Sequence, residues 1–108
     1  MVVREITSEE MFHQVLMMSY GTPVIAIFKA SWCGACNSII PYFHDLSNQF
    51  NGFLFLEIDV NKVQVLFDSF GIGLYPTFIL FKGGYKRSEF NGADPSRLQA
   101  EIENLNNY

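Results

Sequence analysis

Two cysteines three positions apart offer the clearest chemistry in this sequence. Cys33 and Cys36 lie in the stretch SWCGAC and are the only 2 cysteines among 108 residues. If Cys33 begins a helix, Cys36 follows nearly one turn later on the same face, close enough for the two sulfurs to form a disulfide. Such a pair can open and close in place, so the spacing indicates thiol–disulfide chemistry.

The two sulfurs are not expected to be equivalent. A helix start offers unpaired backbone N–H groups and the positive end of the helix dipole, and both stabilise a thiolate at Cys33 more than at Cys36. A free thiol with a pKa of about 8.5 is only roughly 3% ionised at pH 7, so this stabilisation decides its reactivity. We therefore expect Cys33 to attack and Cys36 to resolve.

Two other interpretations of the pair remain open, a metal site and two inert buried cysteines. A structural zinc needs four ligands, and only His13 and His44 are available to complete a site with the cysteines. His44 is two helical turns beyond Cys36, and His13 belongs to another helix. A cluster bridged between two copies of the chain is the remaining metal arrangement. We expect no metal and no cofactor.

Composition narrows the class of protein. With 49% hydrophobic and 17% charged residues, the chain suits one compact domain over residues 1–108. The net charge of -4 with 7 Lys plus Arg, and the lack of any run of like charge, argue against nucleic-acid and anionic-membrane partners.

The first residues also bear on location. Arg4, Glu5, Glu9 and Glu10 interrupt the apolar stretch that a secretory signal requires, and no apolar run is long enough to span a bilayer. We expect a cytoplasmic protein, and in that compartment disulfides are transient rather than structural.

Strands and helices alternate along the chain. The first half of the chain predicts a strand in MVVREI (1–6), a helix that begins with a capping box of Thr7 and Glu10, a buried strand at 23–28, and a helix from Cys33 to Phe50 kinked at Pro41. A buried strand at 53–60 and a short helix that ends at Gly71 follow. The chain then predicts a hairpin of 77–82 and 85–90 with Gly83–Gly84 as its turn, and a last helix capped by Asp94 with Pro95 at its first position. The alternation predicts an α/β fold with a mixed, mostly parallel sheet and a C-terminal antiparallel hairpin. The cysteines then lie beyond the carboxyl end of a strand, where open sheets of this class place their sites.

Four segments resemble the thioredoxin family in order and spacing: FKASWCGAC, PYF eight residues after Cys33, YPTFILFKGG and NGA. The resemblance covers essentially the whole chain. It implies the thioredoxin fold with four helices around the central sheet, Cys33 as an exposed nucleophile, Cys36 as a buried resolving thiol, and a cis peptide bond before Pro76.

The resemblance also implies a groove for an extended substrate segment. Its contact residues in this chain are Trp32, Gly34, Ala35, Tyr75, Pro76 and Gly92. Structural roles remain open for three of them, because Pro76 could simply open a strand, Trp32 could fill the core and Gly92 could enter a turn. The implied partners are protein disulfides and a thioredoxin reductase, and the implied state is a monomer.

The chain departs from the family pattern near the cysteines. It has Ile27 for a buried aspartate, Phe55 for a nearby lysine, Ala35 for a proline, Lys29 for an aromatic residue, and bulky Leu74 and Tyr75 before the cis-proline. Glu57 is a carboxylate that could substitute for the missing aspartate. These changes leave two rivals to a reductase: an oxidase or isomerase, since residues between the cysteines alter redox potential, and a redox-quiet module that holds a partner in the groove.

Overall fold

The elements follow each other in the predicted order. The computed structural model describes residues 3–107, so Met1 and Val2 of the first predicted strand lie outside the described residues. The elements are β1 (Val3–Ile6), α1 (Glu9–Met18), β2 (Val24–Lys29), α2 (Gly34–Gln49), β3 (Leu54–Asp59), α3 (Gln64–Ser69), β4 (Thr77–Lys82), β5 (Tyr85–Asn91) and α4 (Pro95–Leu105). In this part of the chain, none of the helices is long and apolar enough to cross a membrane.

The five strands form one mixed sheet in the order β1-β3-β2-β4-β5. β3 runs parallel to β1 and to β2, whereas β4 runs antiparallel to both β2 and β5. The predicted mixed, mostly parallel sheet and its closing antiparallel hairpin are confirmed, because β1, β2, β3 and β5 run in one direction and β4 alone runs against them. Thr77, the first residue of β4, pairs with Phe28 near the end of β2, so the chain enters β4 at the edge where β2 ends.

Both faces of the sheet are covered by helices. Val24, Ala26 and Phe28 belong to a cluster that includes buried residues of α1 and α3. Ile25 and Ile27 belong to a second cluster with buried residues of α2 and α4. Successive side chains of a strand point to opposite faces, so β2 has to be apolar at every one of these positions.

Helix ends show where local sequence chemistry decides the structure. The hydroxyl of Ser8 accepts from the backbone N–H of Met11 at 3.0 Å, so Ser8 caps α1 and the predicted capping box of Thr7 and Glu10 is wrong. Thr7 is one position too early because its successor is an equally good cap. The carboxylate of Asp94 caps α4 as predicted.

Candidate active site

The cysteine pair lies where β2 gives way to α2. Cys33 has an extended backbone and is the N-cap of α2, and Cys36 is in its first turn. The backbone N–H of Cys33 donates to the carbonyl of Ala30 at 3.1 Å, which closes the turn between strand and helix. The cysteines are joined as a disulfide with their Cα atoms 5.3 Å apart, so the predicted helix start and the predicted pairing are confirmed.

Hydrogen bonding and burial separate the two sulfurs. The backbone N–H of Cys36 donates to Sγ of Cys33 at 3.1 Å, so this sulfur occupies the place of a capping oxygen at the helix start. Cys33 retains 8% of its exposure and Cys36 none. Cys33 is thus the more accessible of the two. Neighbouring residues nevertheless cover most of its surface, so Cys33 is far less exposed than the family resemblance implies.

The start of β4 brings the cis-proline to the same edge of the sheet. The Tyr75–Pro76 peptide bond is cis, and Pro76 directly precedes the residue that pairs with Phe28. The backbone N–H of Gly92 donates to the carbonyl of Pro76 at 2.9 Å. Gly92 has φ +101°, which L side chains rarely adopt, and a Cβ placed there would meet nothing within 4 Å. The segments that contain Pro76 and Gly92 therefore lie side by side, and there is open space on the side of Gly92 where a Cβ atom would be.

An aromatic contact forms the rim beside Cys33. Trp32 is 67% exposed, so it does not fill the core. Its ring meets the ring of Tyr75 edge to face, with centroids 5.5 Å apart. Leu74 is also exposed, as are Gly34 and Ala35 in the first turn of α2. These positions surround the access to the cysteine pair.

Packed apolar side chains replace the buried aspartate and the nearby lysine of the family pattern. Ile27 and Phe55 are fully buried and belong to the cluster beneath α2 and α4, whereas Cys36 belongs to the cluster on the other face. Glu57 lies opposite Ile27 in the register of β2 and β3. Its carboxylate, however, is 3.2 Å from Nε2 of His44. His44 follows Cys36 by eight residues in α2, which corresponds to about 12 Å along the helix axis.

The sequence did not predict one charged pair, which lies at the edge of the sheet where β2 and β3 end. Lys29 and Asp59 are the last residues of neighbouring parallel strands and lie in register. Nζ of Lys29 is 4.0 Å from the Asp59 carboxylate, which also accepts the backbone N–H of Asn61 at 2.8 Å. The signal in the sequence was a charge ending each of two buried apolar runs, but the pairing depends on a register that the sequence does not state.

The histidines do not complete a metal site with the cysteines. Nε2 of His13 lies 3.6 Å from the carboxylate of Glu9, and His44 pairs with Glu57 as described. Across residues 3–107, no three side chains of the types His, Cys, Asp and Glu are grouped so as to hold a metal ion.

The chain is similar to known proteins over nearly its full length. The family model described as Thioredoxin matches residues 2–104. Thioredoxin of Oryctolagus cuniculus is 38% identical over 104 residues, which cover 96% of this chain and 99% of that protein. The structure of a poplar thioredoxin h matches with a TM-score of 0.93 at 32% identity, covering 98% of this chain and 97% of the other. Thioredoxin of Fasciola hepatica has the same fold with a TM-score of 0.93 at 23% identity, covering 95% and 99%.

Proposed function

Because this chain belongs to the thioredoxin family and is a protein thiol–disulfide oxidoreductase, we propose that it works as a reductase, with Cys33 as nucleophile and Cys36 as resolving thiol. The observation that carries this assignment is the hydrogen bond from the Cys36 N–H to Sγ of Cys33 at 3.1 Å. A thiolate at Cys33 gains from this donor and from the helix dipole, while the fully buried Cys36 has no access to a protein substrate.

The reaction proceeds by two exchanges. The Cys33 thiolate attacks one sulfur of the substrate disulfide, a Cys33–substrate disulfide forms, and the other substrate sulfur leaves as a thiolate that takes up a proton. The Cys36 thiol then loses its proton and attacks Sγ of Cys33, which releases the second substrate thiol and closes the Cys33–Cys36 disulfide. Two electrons pass from the dithiol to the substrate.

The surfaces around Cys33 suit an extended substrate segment. Trp32 offers an exposed ring, and Gly34 and Ala35 add little bulk in the first turn of α2. Pro76 lacks an N–H that would compete for the sulfur, and the open space over Gly92 leaves room for a substrate backbone. Together with Tyr75, these are the residues that we assign to substrate binding.

The oxidised protein needs an electron donor for the next cycle. We propose a thioredoxin reductase for this role, since the relatives of this chain are thioredoxins. A monomer suits the cycle because both cysteines come from one chain. We propose the cytoplasm as the compartment, because reducing conditions there keep such a dithiol available.

A redox titration tests the direction of the reaction. The protein is equilibrated with glutathione buffers of graded potential, and the fraction of Cys33–Cys36 disulfide is measured by alkylation and mass spectrometry. A midpoint well below the cytosolic glutathione pool supports a reductase. A midpoint near or above that pool would show instead an oxidase or isomerase, the alternative favoured by Ala35 between the cysteines.

A further inference from the structure

A cavity of about 440 Å³ lies between α1 and the turn of the β4–β5 hairpin. His13 and Met17 line it from α1, and Gly83 lines it from the hairpin turn. The backbone N–H of Gly83 donates to the carbonyl of Tyr20 at 3.1 Å, which fixes the turn against the segment that follows α1. Pro76 precedes the opposite end of β4, so this cavity is separate from the cysteine pair.

The three methionines of α1 have different surroundings. Met11 packs against the core, and its Sδ accepts the hydroxyl of Thr7 at 3.7 Å. Met18 is 87% exposed and is not among the residues that line the cavity. Met17 is 78% exposed and lines the cavity, so its thioether is accessible to a ligand that enters there.

His13 precedes Met17 by one helical turn. Side chains four residues apart in a helix are neighbours, and a long side chain points back toward the preceding turn, which directs the Met17 thioether toward His13. Nε2 of His13 lies 3.6 Å from the carboxylate of Glu9. A carboxylate beside one ring nitrogen favours the tautomer that keeps its proton there, so Nδ1 carries the lone pair.

We propose that His13 and Met17 form a binding site for one Cu(I) ion, held between Nδ1 of the imidazole and Sδ of the thioether. Metal bonds of about 2.0 Å to an imidazole nitrogen and about 2.3 Å to a sulfur place the two donor atoms about 4.3 Å apart in a linear arrangement. The Cβ atoms of residues at this spacing are about 5–6 Å apart. The three rotatable bonds of methionine let Sδ reach the required separation.

The donor set selects this ion. A thioether is a soft ligand that prefers Cu(I), and imidazole binds copper as well. A structural zinc ion needs four ligands, and across residues 3–107 no three side chains of the types His, Cys, Asp and Glu are grouped to hold one. Cu(I) is satisfied by two donors in line, and the rings of Tyr20 and Tyr85 in the cavity wall stabilise a bound cation further. The site excludes the cysteines, so this inference does not depend on the proposed reductase function.

The test is a titration of the Cys33→Ser/Cys36→Ser protein with Cu(I), supplied without oxygen as its acetonitrile complex. This variant lacks the two thiols, which would otherwise compete as soft ligands. The titration is run at about pH 7.5, because a protonated imidazole cannot bind a metal. Proton NMR follows the methionine methyl groups and the histidine ring protons. We expect one equivalent to shift the signals of Met17 and His13 and to leave those of Met18 and His44 in place.

Met17→Leu and His13→Gln, each added to that variant, remove one donor at a time. Each should weaken Cu(I) binding by at least about tenfold, since loss of a group that merely orients a ligand already weakens metal binding by about 10–100-fold. Met18→Leu is the matched control. It removes the neighbouring exposed thioether outside the cavity and should leave the affinity unchanged. All three positions are exposed, so the fold should tolerate the substitutions.

A parallel titration with Zn(II) separates this donor set from the pair of His13 and Glu9. We expect Zn(II) to leave the Met17 methyl signal in place. Zn(II) binding as tight as Cu(I) binding would overturn the inference, because an imidazole and a carboxylate would then suffice. The inference would also be rejected if Cu(I) shifted neither His13 nor Met17, or if Met17→Leu bound Cu(I) as tightly as the protein that retains Met17.

Discussion

The backbone N–H of Cys36 donates a hydrogen bond to Sγ of Cys33 across 3.1 Å. Helices are usually capped at this position by an oxygen of serine, threonine, aspartate or asparagine. Here a sulfur takes that place, and hydrogen bonds to an ionised acceptor are roughly twice as strong as those between neutral groups. In the reduced protein, the donor that caps the start of α2 is therefore also positioned to stabilise a thiolate at Cys33.

Cys33 should be the thiol that reacts first in the reduced protein. Near pH 7, we expect iodoacetamide to label Cys33 well before Cys36, because only Cys33 combines some exposure with the capping position. Peptide mapping after short labelling times measures the order. Labelling of Cys36 ahead of Cys33 would reverse the two roles.

Cys33→Ser should abolish disulfide reduction in a coupled insulin assay while leaving the fold intact. Serine is itself a good N-cap, so α2 keeps its first hydrogen bond and thermal stability should change little. Ser38→Ala, in the same helix and on its exposed side, serves as the control that retains activity. Residual activity in Cys33→Ser close to that of the parent would rule out nucleophilic attack by Cys33.

Cys36→Ser should trap substrates as stable mixed disulfides. Cys33 still attacks in this variant, but no second thiol remains to release the bound protein. Non-reducing electrophoresis and mass spectrometry of a cell lysate passed over the variant would identify the complexes, and the Cys33→Ser/Cys36→Ser protein is the control. If the double variant captured the same proteins, the capture would be non-covalent and the resolving role of Cys36 would lose its support.

Local sequence signals predicted much of this structure because they act over a few residues. The apolar run at 23–28, the cysteine at the start of the next helix, and Asp94 followed by Pro95 each specify an element through contacts with immediate neighbours. Thr7 and Ser8 show the limit of this reasoning. These adjacent residues offer the same capping chemistry, and only the path of the chain into α1 makes Ser8 the cap.

Features that depend on strand register could not be read in the same way. The pairing of Thr77 with Phe28 sets the direction of β4, and the pairing of Lys29 with Asp59 places two charges together at the active-site edge. Both join residues about 30 to 50 positions apart in the printed sequence, so no local pattern encodes them. The contact of Trp32 with Tyr75 likewise follows from the sheet, not from either residue's neighbours.

Asp94→Ala should destabilise the protein without altering its redox chemistry. The carboxylate of Asp94 accepts the backbone N–H groups of Ser96 at 3.0 Å and Arg97 at 3.2 Å. Loss of such a cap costs about 1 kcal/mol, which lowers the melting temperature of a domain of this size by about 4–8 °C. Thermal unfolding followed by circular dichroism measures the shift. Asp45→Ala, at an exposed position within α2, is the control expected to show a smaller change.

The complete burial of Cys36 predicts a slow resolving step. Apolar surroundings disfavour ionisation of the buried Cys36 thiol, and the carboxylate of Glu57 is held by His44 about two helical turns away. Resolution of the Cys33 mixed disulfide should therefore be slow at neutral pH and accelerate as the pH rises. Stopped-flow decay of a preformed mixed disulfide from pH 6 to 9 gives the profile, and Glu57→Gln should leave it unchanged.

Restoring the acid tests the cause of that slow step. Ile27→Asp alone leaves a buried charge without a partner, which costs about 3 kcal/mol or more, so the variant to compare is Ile27→Asp with Phe55→Lys. The double variant should resolve the mixed disulfide faster at pH 7 and lose some thermal stability, because an ion pair replaces well-packed apolar side chains. Ile27→Asn with Phe55→Gln controls for polarity without a proton acceptor and without an unpaired buried charge. If the parent resolves as fast as the aspartate variant at every pH, the absence of a carboxylate at position 27 has no kinetic consequence, and Cys36 loses its proton by another route.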